Sequence, residues 1–315
     1  MKKMEIKING RAGQTDLISQ SGEPGPITQH GQPRPTNTLR RPGRRDPLSL
    51  LLSVLVYASA AITIGVLVFL VGYILVKGIP KLTPDLFAWE YNSENVSMMP
   101  AIINTITMTA LSLIFAVPIG VFSAIYLVEY AKRGNKLVSI VRVTTETLSG
   151  IPSIVYGLFG FLMFVVAFGW GYSLLGGALT LAIMILPLIM RTTEEALKSV
   201  PDIYREGSYG LGAGRLRTVF RIVLPTAIPG ILAGVILGIG RVAGETAALI
   251  YSAGTVAGVP ETLMDSGRTL SVHMYALLSE GLYTDQAYAT ATVLLGMVIL
   301  INALSGRIAS KLTRR

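Results

Sequence analysis

Six long apolar runs, at about 48–76, 101–128, 138–168, 174–190, 226–252 and 287–306, alternate with short polar stretches along the chain. A helix needs roughly 20 mostly apolar residues to cross a bilayer, so each run predicts one spanning helix, the fourth at the short end of the range. The third run is interrupted by Gly150-Ile151-Pro152-Ser153. Proline removes a backbone donor and predicts a kink or a restart there. Pro118 and Pro187 predict bends in the second and fourth helices.

The polar segment 191–225 has its own pattern. Ser199-Val200-Pro201-Asp202 reads as a helix start, with serine at the cap, proline in the first turn and an acid after it. A short helix follows, with Ile203, Tyr204, Gly207 and Leu211 at helical spacing. Gly210, Gly212 and Gly214 then permit a sharp turn, because glycine adopts positive φ at little cost. A second short helix is predicted over Leu216–Val223, ending before Pro225. The result is a helix-turn-helix bracket across one membrane face. It has too little apolar surface to fold alone and reads as a docking element for a soluble partner.

Composition agrees with a membrane protein: 51% of the 315 residues are hydrophobic and 14% charged, against about a quarter charged in a soluble chain. The net charge of +9 has two readings, nucleic-acid binding or membrane topology, and its distribution favours the second. Lys and Arg accumulate on the cytoplasmic side of membrane proteins. Here Arg40, Arg41, Arg44 and Arg45 precede the first run, and Lys132, Arg133 and Lys136 separate the second from the third. The bracket carries Arg191, Lys198, Arg205, Arg215, Arg217 and Arg221, and Arg307, Lys311, Arg314 and Arg315 close the chain. Only Lys77, Lys81 and Arg268 fall on the other side, so both termini are expected in the cytoplasm. Residues 1–46, rich in Pro, Gly, Gln and Thr, predict a disordered tail. It is either a solvated extension or a binder of anionic lipid through its arginines, and its start lacks the apolar core of a cleavable signal peptide. There are no cysteines, hence no disulfide or thiolate metal site. His30 and His273 have no partner at metal-ligand spacing and read as solvated, in the tail and an outer loop.

Charges inside the fifth run mark candidate chemistry. Arg241 and Glu245 sit well within GILAGVILGIGRVAGETAALIYSAG, residues 230–254, and intramembrane charges usually mark a pathway or a paired site. At roughly 100° per residue, Gly230, Gly234, Gly238, Arg241 and Glu245 share one stripe, where another helix can approach closely. Two readings are open: Arg241 as counter-charge for an anion in transit, moderated by Glu245, or a structural i,i+4 pair that orients the helix. Thr105, Thr109 and Ser112 share a face of the second run after Asn104. They either line a passage or bond the carbonyl one turn back. Arg142 and Glu146 read as a surface i,i+4 salt bridge.

The spacing Glu206, Gly212, Ile222-Val223-Leu224-Pro225 resembles the coupling loop of ABC-importer permeases, Glu-Ala-Ala, three residues, Gly, nine residues, Ile-x-Leu-Pro. Gly207 and Ser208, both small, replace the two alanines. The runs IGRVAGETAALIYSAG, MRTTEEALKSVP and GIPSIVYGLFG resemble the A-type permease of the phosphate-specific transport system, over about residues 98–308. This resemblance implies an all-α polytopic membrane protein of the type I ABC importer permease fold, with six transmembrane helices and a cytoplasmic coupling segment at 191–225. Residues 47–97 are then the first helix and an external loop, and 309–315 a basic cytoplasmic end. It implies ATPase coupling through Glu206, Gly207, Ser208, Gly212, Ile222, Leu224 and Pro225, and a substrate passage at Arg241, to which Glu245 and, from their shared helix face, Thr105 and Thr109 are candidate additions. The matching Arg is the family's phosphate-passage residue; the clearest functional acid belongs to the partner subunit. Implied partners are a C-type phosphate permease paralogue, a dimer of ABC ATPase subunits, an external phosphate-binding protein and membrane lipid. No GxxxxGK[ST] phosphate-binding loop occurs, so ATP and Mg act through the ATPase subunits and no cofactor is expected in this chain. Rival readings are import of another oxyanion (molybdate or sulfate) on the same scaffold, or an ion-coupled secondary transporter.

Overall fold

The computed structural model describes residues 47–132 and 134–313. The tail 1–46 with His30 and its arginines, Arg133, and Arg314 and Arg315 lie outside the described residues. Among the described residues every regular element is helical. The chain divides at Ala60 into two units. Residues 47–60 are an exposed apolar helical segment; everything below concerns the second unit. Helix α1 (Pro47–Gly78) ends in that unit. It is followed by α2 (Met99–Ile125), α3 (Lys136–Ser149), α4 (Ser153–Gly160), α5 (Leu174–Lys198), α6 (Asp202–Gly210) and α7 (Arg215–Thr218). Then come α8 (Leu224–Ala243), α9 (Ala247–Ser252), α10 (Leu270–Glu280) and α11 (Thr284–Thr313).

Helix α5 is the centre. Two-thirds of its most apolar window (67%) is buried, against 33% or less in the other long helices. Its start is fixed by Ser173, whose hydroxyl accepts from the Gly176 N–H at 3.1 Å, filling one of the orphan donors of a helix N-terminus. Two more, on Leu174 and Leu175, donate to the carbonyls of Asp265 (2.9 Å) and Leu263 (2.8 Å). Leu181, Ile185 and Ile189 of α5 form a core with Met108 of α2, Val242 of α8 and Leu249 of α9. Both α2 and α5 run unbroken through Pro118 and Pro187.

Five helices are long and apolar enough to cross a membrane. The predicted third span is not one helix: α3 and the stretch Ser153–Ala167 meet at 104° across the Gly150-Ile151-Pro152 break. Tyr156 holds this corner by donating its hydroxyl to the Leu148 carbonyl at 2.8 Å. The end of α2 lies beside the bracket, with Glu129 bonded to Arg205, whereas the start of α5 lies at the opposite end, against Asp265. The bent pair therefore connects the two ends and, taken as one span, brings the count of candidate crossings to six.

The fifth predicted span also differs. Its helix starts earlier, running continuously over Arg215–Ala243, and does not stop before Pro225. A π turn at Val219–Val223, in which the Leu224 N–H reaches back to the Val219 carbonyl, absorbs the residue with no donor. The Thr226 hydroxyl takes up the Ile222 carbonyl at 2.7 Å. At the other end the helix stops at Ala243, and Gly244-Glu245-Thr246 separates it from α9.

Candidate functional site

The bracket is built by α6 and α7. Pro201 is the residue before α6 and Asp202 lies in its first turn. Ser199 does not cap α6; it closes α5, donating its hydroxyl to the Ala196 carbonyl at 2.8 Å. Of the three glycines only Gly212, at φ +81°, makes the turn by a positive φ. The two arms are joined inside by Ser208 and Thr218, whose buried hydroxyls lie 2.8 Å apart, so smallness at 208 serves this internal contact. Glu206 and Gly207 face outward, Ile222 and Leu224 are half-buried, and Pro225 is exposed.

Arg205 ties the bracket to the bundle. Its Nε and Nη2 donate to Glu129 Oε1 at 3.2 and 2.7 Å, and Nη2 also to the Leu197 carbonyl at 2.9 Å. Nη1 donates to the Val200 carbonyl at 2.7 Å and to Asp202 Oδ1 at 3.0 Å. Burial works against this charge, but the hydrogen bond and charge of Glu129, with Asp202, outweigh it and hold the guanidinium above its ordinary pKa. One side chain thus fixes α6 to the ends of both α2 and α5. The outer face has no such partner. Ile203, Tyr204 and Leu216 are exposed, and Leu211 at the turn is 90% exposed. Large apolar side chains are thus held outward together on one face of the bracket.

Arg241 occupies the last turn of α8 and is exposed. Its charge is felt at the Tyr156 phenol beside the α3–α4 corner. The i,i+4 pair with Glu245, one of the two readings, is not formed: the helix ends at Ala243, so the two side chains no longer share a turn. Glu245 instead accepts from the Ala248 N–H at 3.2 Å and opens α9, while its carbonyl accepts from the Ser271 hydroxyl at 2.5 Å. The glycines of the stripe do pack closely, on α5: a Cβ at Gly230 would lie 2.6 Å from the Ala196 Cβ, and one at Gly234 would collide with Thr192.

Thr105 and Thr109 are buried within the protomer and bond back to the carbonyls of Ala101 and Thr105, each at 2.7 Å. Ser112 does the same to Thr109 at 2.9 Å. Thr105 also accepts from the Leu270 N–H at 2.8 Å, so neither threonine presents a free hydroxyl to a surface. Arg142 pairs with Glu194 at 2.6 Å, not with Glu146. His273 is not solvated. It is 1% exposed in α10, edge-on to the Tyr91 ring, and Arg268 lies over the same ring at 4.8 Å. Neither residue was marked by any local pattern; both are brought inside by Tyr91, far away in sequence.

A helical membrane bundle with an outward-facing bracket at one end is the arrangement of a transport permease subunit. Residues 116–315 match the family model of the binding-protein-dependent transport system inner membrane component, and the chain belongs to that family. It is 34% identical over 261 residues to the probable ABC transporter permease protein YqgI of Bacillus subtilis (77% of this chain, 88% of the relative). It is 33% identical over 274 residues to the phosphate transport system permease protein PstA of Mycobacterium leprae (82% and 88%). Among solved structures, the bacterial alginate ABC transporter in complex with its alginate pentasaccharide-bound periplasmic protein superposes with a TM-score of 0.62 at 18% identity, covering 85% of this chain and 98% of that one. The fold is that of type I ABC importer permeases, and the chain is a multi-pass inner-membrane subunit.

Proposed function

We propose that this chain is the A-type permease subunit of an ATP-driven importer of inorganic phosphate. The observation that carries the reading is Arg241. It is an exposed guanidinium at the end of a spanning helix, and no ion pair engages it among the described residues. The likeness to PstA over 82% of the chain supports phosphate as the anion it meets. Arg241 offers planar donors matched to a tetrahedral oxyanion. Glu245, turned away into the start of α9, leaves the guanidinium free to bind, while its negative charge nearby limits how tightly an anion is held. A C-type paralogue completes the passage opposite Arg241, and an external phosphate-binding protein delivers the substrate. An ATPase dimer, which holds ATP and Mg, docks on the bracket through Glu206, Gly207 and the exposed turn. Closure of the ATPase pair pushes the bracket, and Arg205 passes that movement to α2 and α5.

The test is uptake of phosphate at low external concentration in cells carrying Arg241→Gln, with membrane level and ATPase association measured in parallel. Loss of uptake by at least tenfold with the complex intact is expected. Normal uptake by the variant would remove Arg241 from the path. Sulfate or molybdate uptake that depends on the wild-type chain while phosphate uptake does not would reassign the substrate.

A further inference from the structure

At the bracket end a cavity of about 1200 Å³ opens between α3, the end of α2 and the bracket. Its wall is rich in cations that the fold does not neutralise. Lys132 and Lys136 are exposed and enter no ion pair among the described residues. Arg215 lies over the Tyr130 ring at 5.6 Å and has no carboxylate partner among the described residues. Arg142 and Lys198 share a single carboxylate, Glu194, each at 2.6 Å. Of the three carboxylates on the same wall, Glu129 and Asp202 are taken by Arg205, and Glu146 stands against the six basic side chains Lys132, Lys136, Arg142, Lys198, Arg205 and Arg215.

The cavity also has an apolar flank. Helix α3 turns Val138 inward and leaves Ile140 and Val143 exposed; Val143 is itself part of the wall. Helix α3 meets the following segment at 104°, and Val138 and the Arg142–Glu194 pair set it at the bracket end of the bundle. An amphipathic helix in that position seats its apolar face at the boundary between headgroups and acyl chains. Basic pockets between spanning helices at this level suit phosphate-bearing lipid headgroups.

We propose that this cavity is a binding site for an anionic phospholipid. The headgroup phosphodiester sits between Lys132, Lys136 and Arg215, and the acyl chains leave over Val143 and Ile140. A free phosphate ion shares the headgroup's chemistry but makes no use of the apolar flank. The lipid braces α3 against Arg215 and thereby against the bracket.

The assembled transporter, extracted from its membrane and stripped of loose lipid, is titrated with phosphatidylglycerol and with phosphatidylcholine, and bound lipid is counted by native mass spectrometry. Phosphatidylglycerol is expected to be retained selectively. Lys132→Gln with Lys136→Gln weakens it about 25-fold, from roughly fivefold for each basic residue near an anionic surface, while Lys→Arg at both positions keeps it. Equal retention of the two lipids, or unchanged retention in the glutamine pair, overturns the proposal. Displacement of the lipid by millimolar inorganic phosphate would assign the cations to free phosphate instead, and overturns the lipid source. Absence of any tightly held lipid in the complex overturns it as well, leaving the cavity to the docked ATPase.

Discussion

At pH 7 the His273 ring is neutral in the folded chain and nearly so in the unfolded one, but the two states part as the pH falls. Burial, then the nearby Arg268 charge, push its pKa from 6.5 down to about 3, against weak support from the Val96 backbone. The unfolded chain therefore takes up a proton below 6.5 that the folded chain refuses until about 3. Stability from this group is complete above pH 6.5 and is lost progressively through that window, by about 2 kcal/mol at pH 5. Thermal unfolding of the purified transporter at pH 7 and pH 5 tests this. The wild type should lose about 2 kcal/mol more than His273→Phe on acidification, and equal losses would mean that the ring is hydrated in solution. The sequence gives no sign of this behaviour. A histidine and an arginine between two apolar runs look like loop residues in water. Their burial depends on Tyr91 and Val96, about 180 positions away.

The packing of α8 on α5 was legible at the scale of the element. Glycines at 230, 234 and 238 repeat every four residues, a spacing that places them on one face, and that face does meet α5. The three positions are not equivalent, however, and this separates close approach from mere small size. A Cβ at Gly234 would collide with the Thr192 side chain, whose hydroxyl already bonds the Leu188 carbonyl at 2.9 Å. A Cβ at Gly238 would sit 3.9 Å from Ile185 and Ile189, in ordinary contact. Gly234→Ala should therefore destabilise the protein by about 1–3 kcal/mol through overpacking, while Gly238→Ala should be neutral or slightly stabilising. Melting temperatures of the two variants in one detergent decide it; equal shifts would show that the helices slide to accommodate either methyl. Where the helix ends was not legible. Gly244-Glu245-Thr246 is flanked by apolar residues on both sides, and hydropathy averages over a three-residue break. It takes Glu245 capping α9 and α9 packing on Gly157 of α4 to make that break stable. The same blindness placed a stop at Pro225, where a π turn carries the helix through.

At the largest scale, two internal basic segments of the second unit share one end of the bundle. Among the described residues, the basic segments around 132–136 and 198–215 meet where Arg142 pairs with Glu194 and Arg205 with Glu129. The segments with few cations gather at the other end, where Lys81 pairs with Asp285 at 2.5 Å and the Asn104 amide donates to the carbonyls of Gly258 and Arg268. The charge asymmetry of the sequence sets an expected sign for this axis relative to the membrane, with the bracket in the cytoplasm and the α10–α11 turn outside, and labelling tests it. The chain has no cysteine, so single cysteines can report each end without background. Leu211 and Leu282 are 90% and 80% exposed, at the bracket turn and between α10 and α11, and neither has a packing role that substitution would disturb. In intact cells stripped of their outer barrier, a membrane-impermeant maleimide should label Leu282→Cys at once. It should label Leu211→Cys only after the inner membrane is opened. If the ATPase docks on the bracket, labelling at position 211 should also be slowed at least tenfold in the assembled complex relative to the permease stripped of its ATPase. Label at 282 alone would fix the orientation, and equal rates at 211 with and without the ATPase would show that this turn is not where force enters. The reverse pattern, with 211 labelled from outside, would invert the molecule in the membrane and put the bracket beyond reach of any cytoplasmic ATPase.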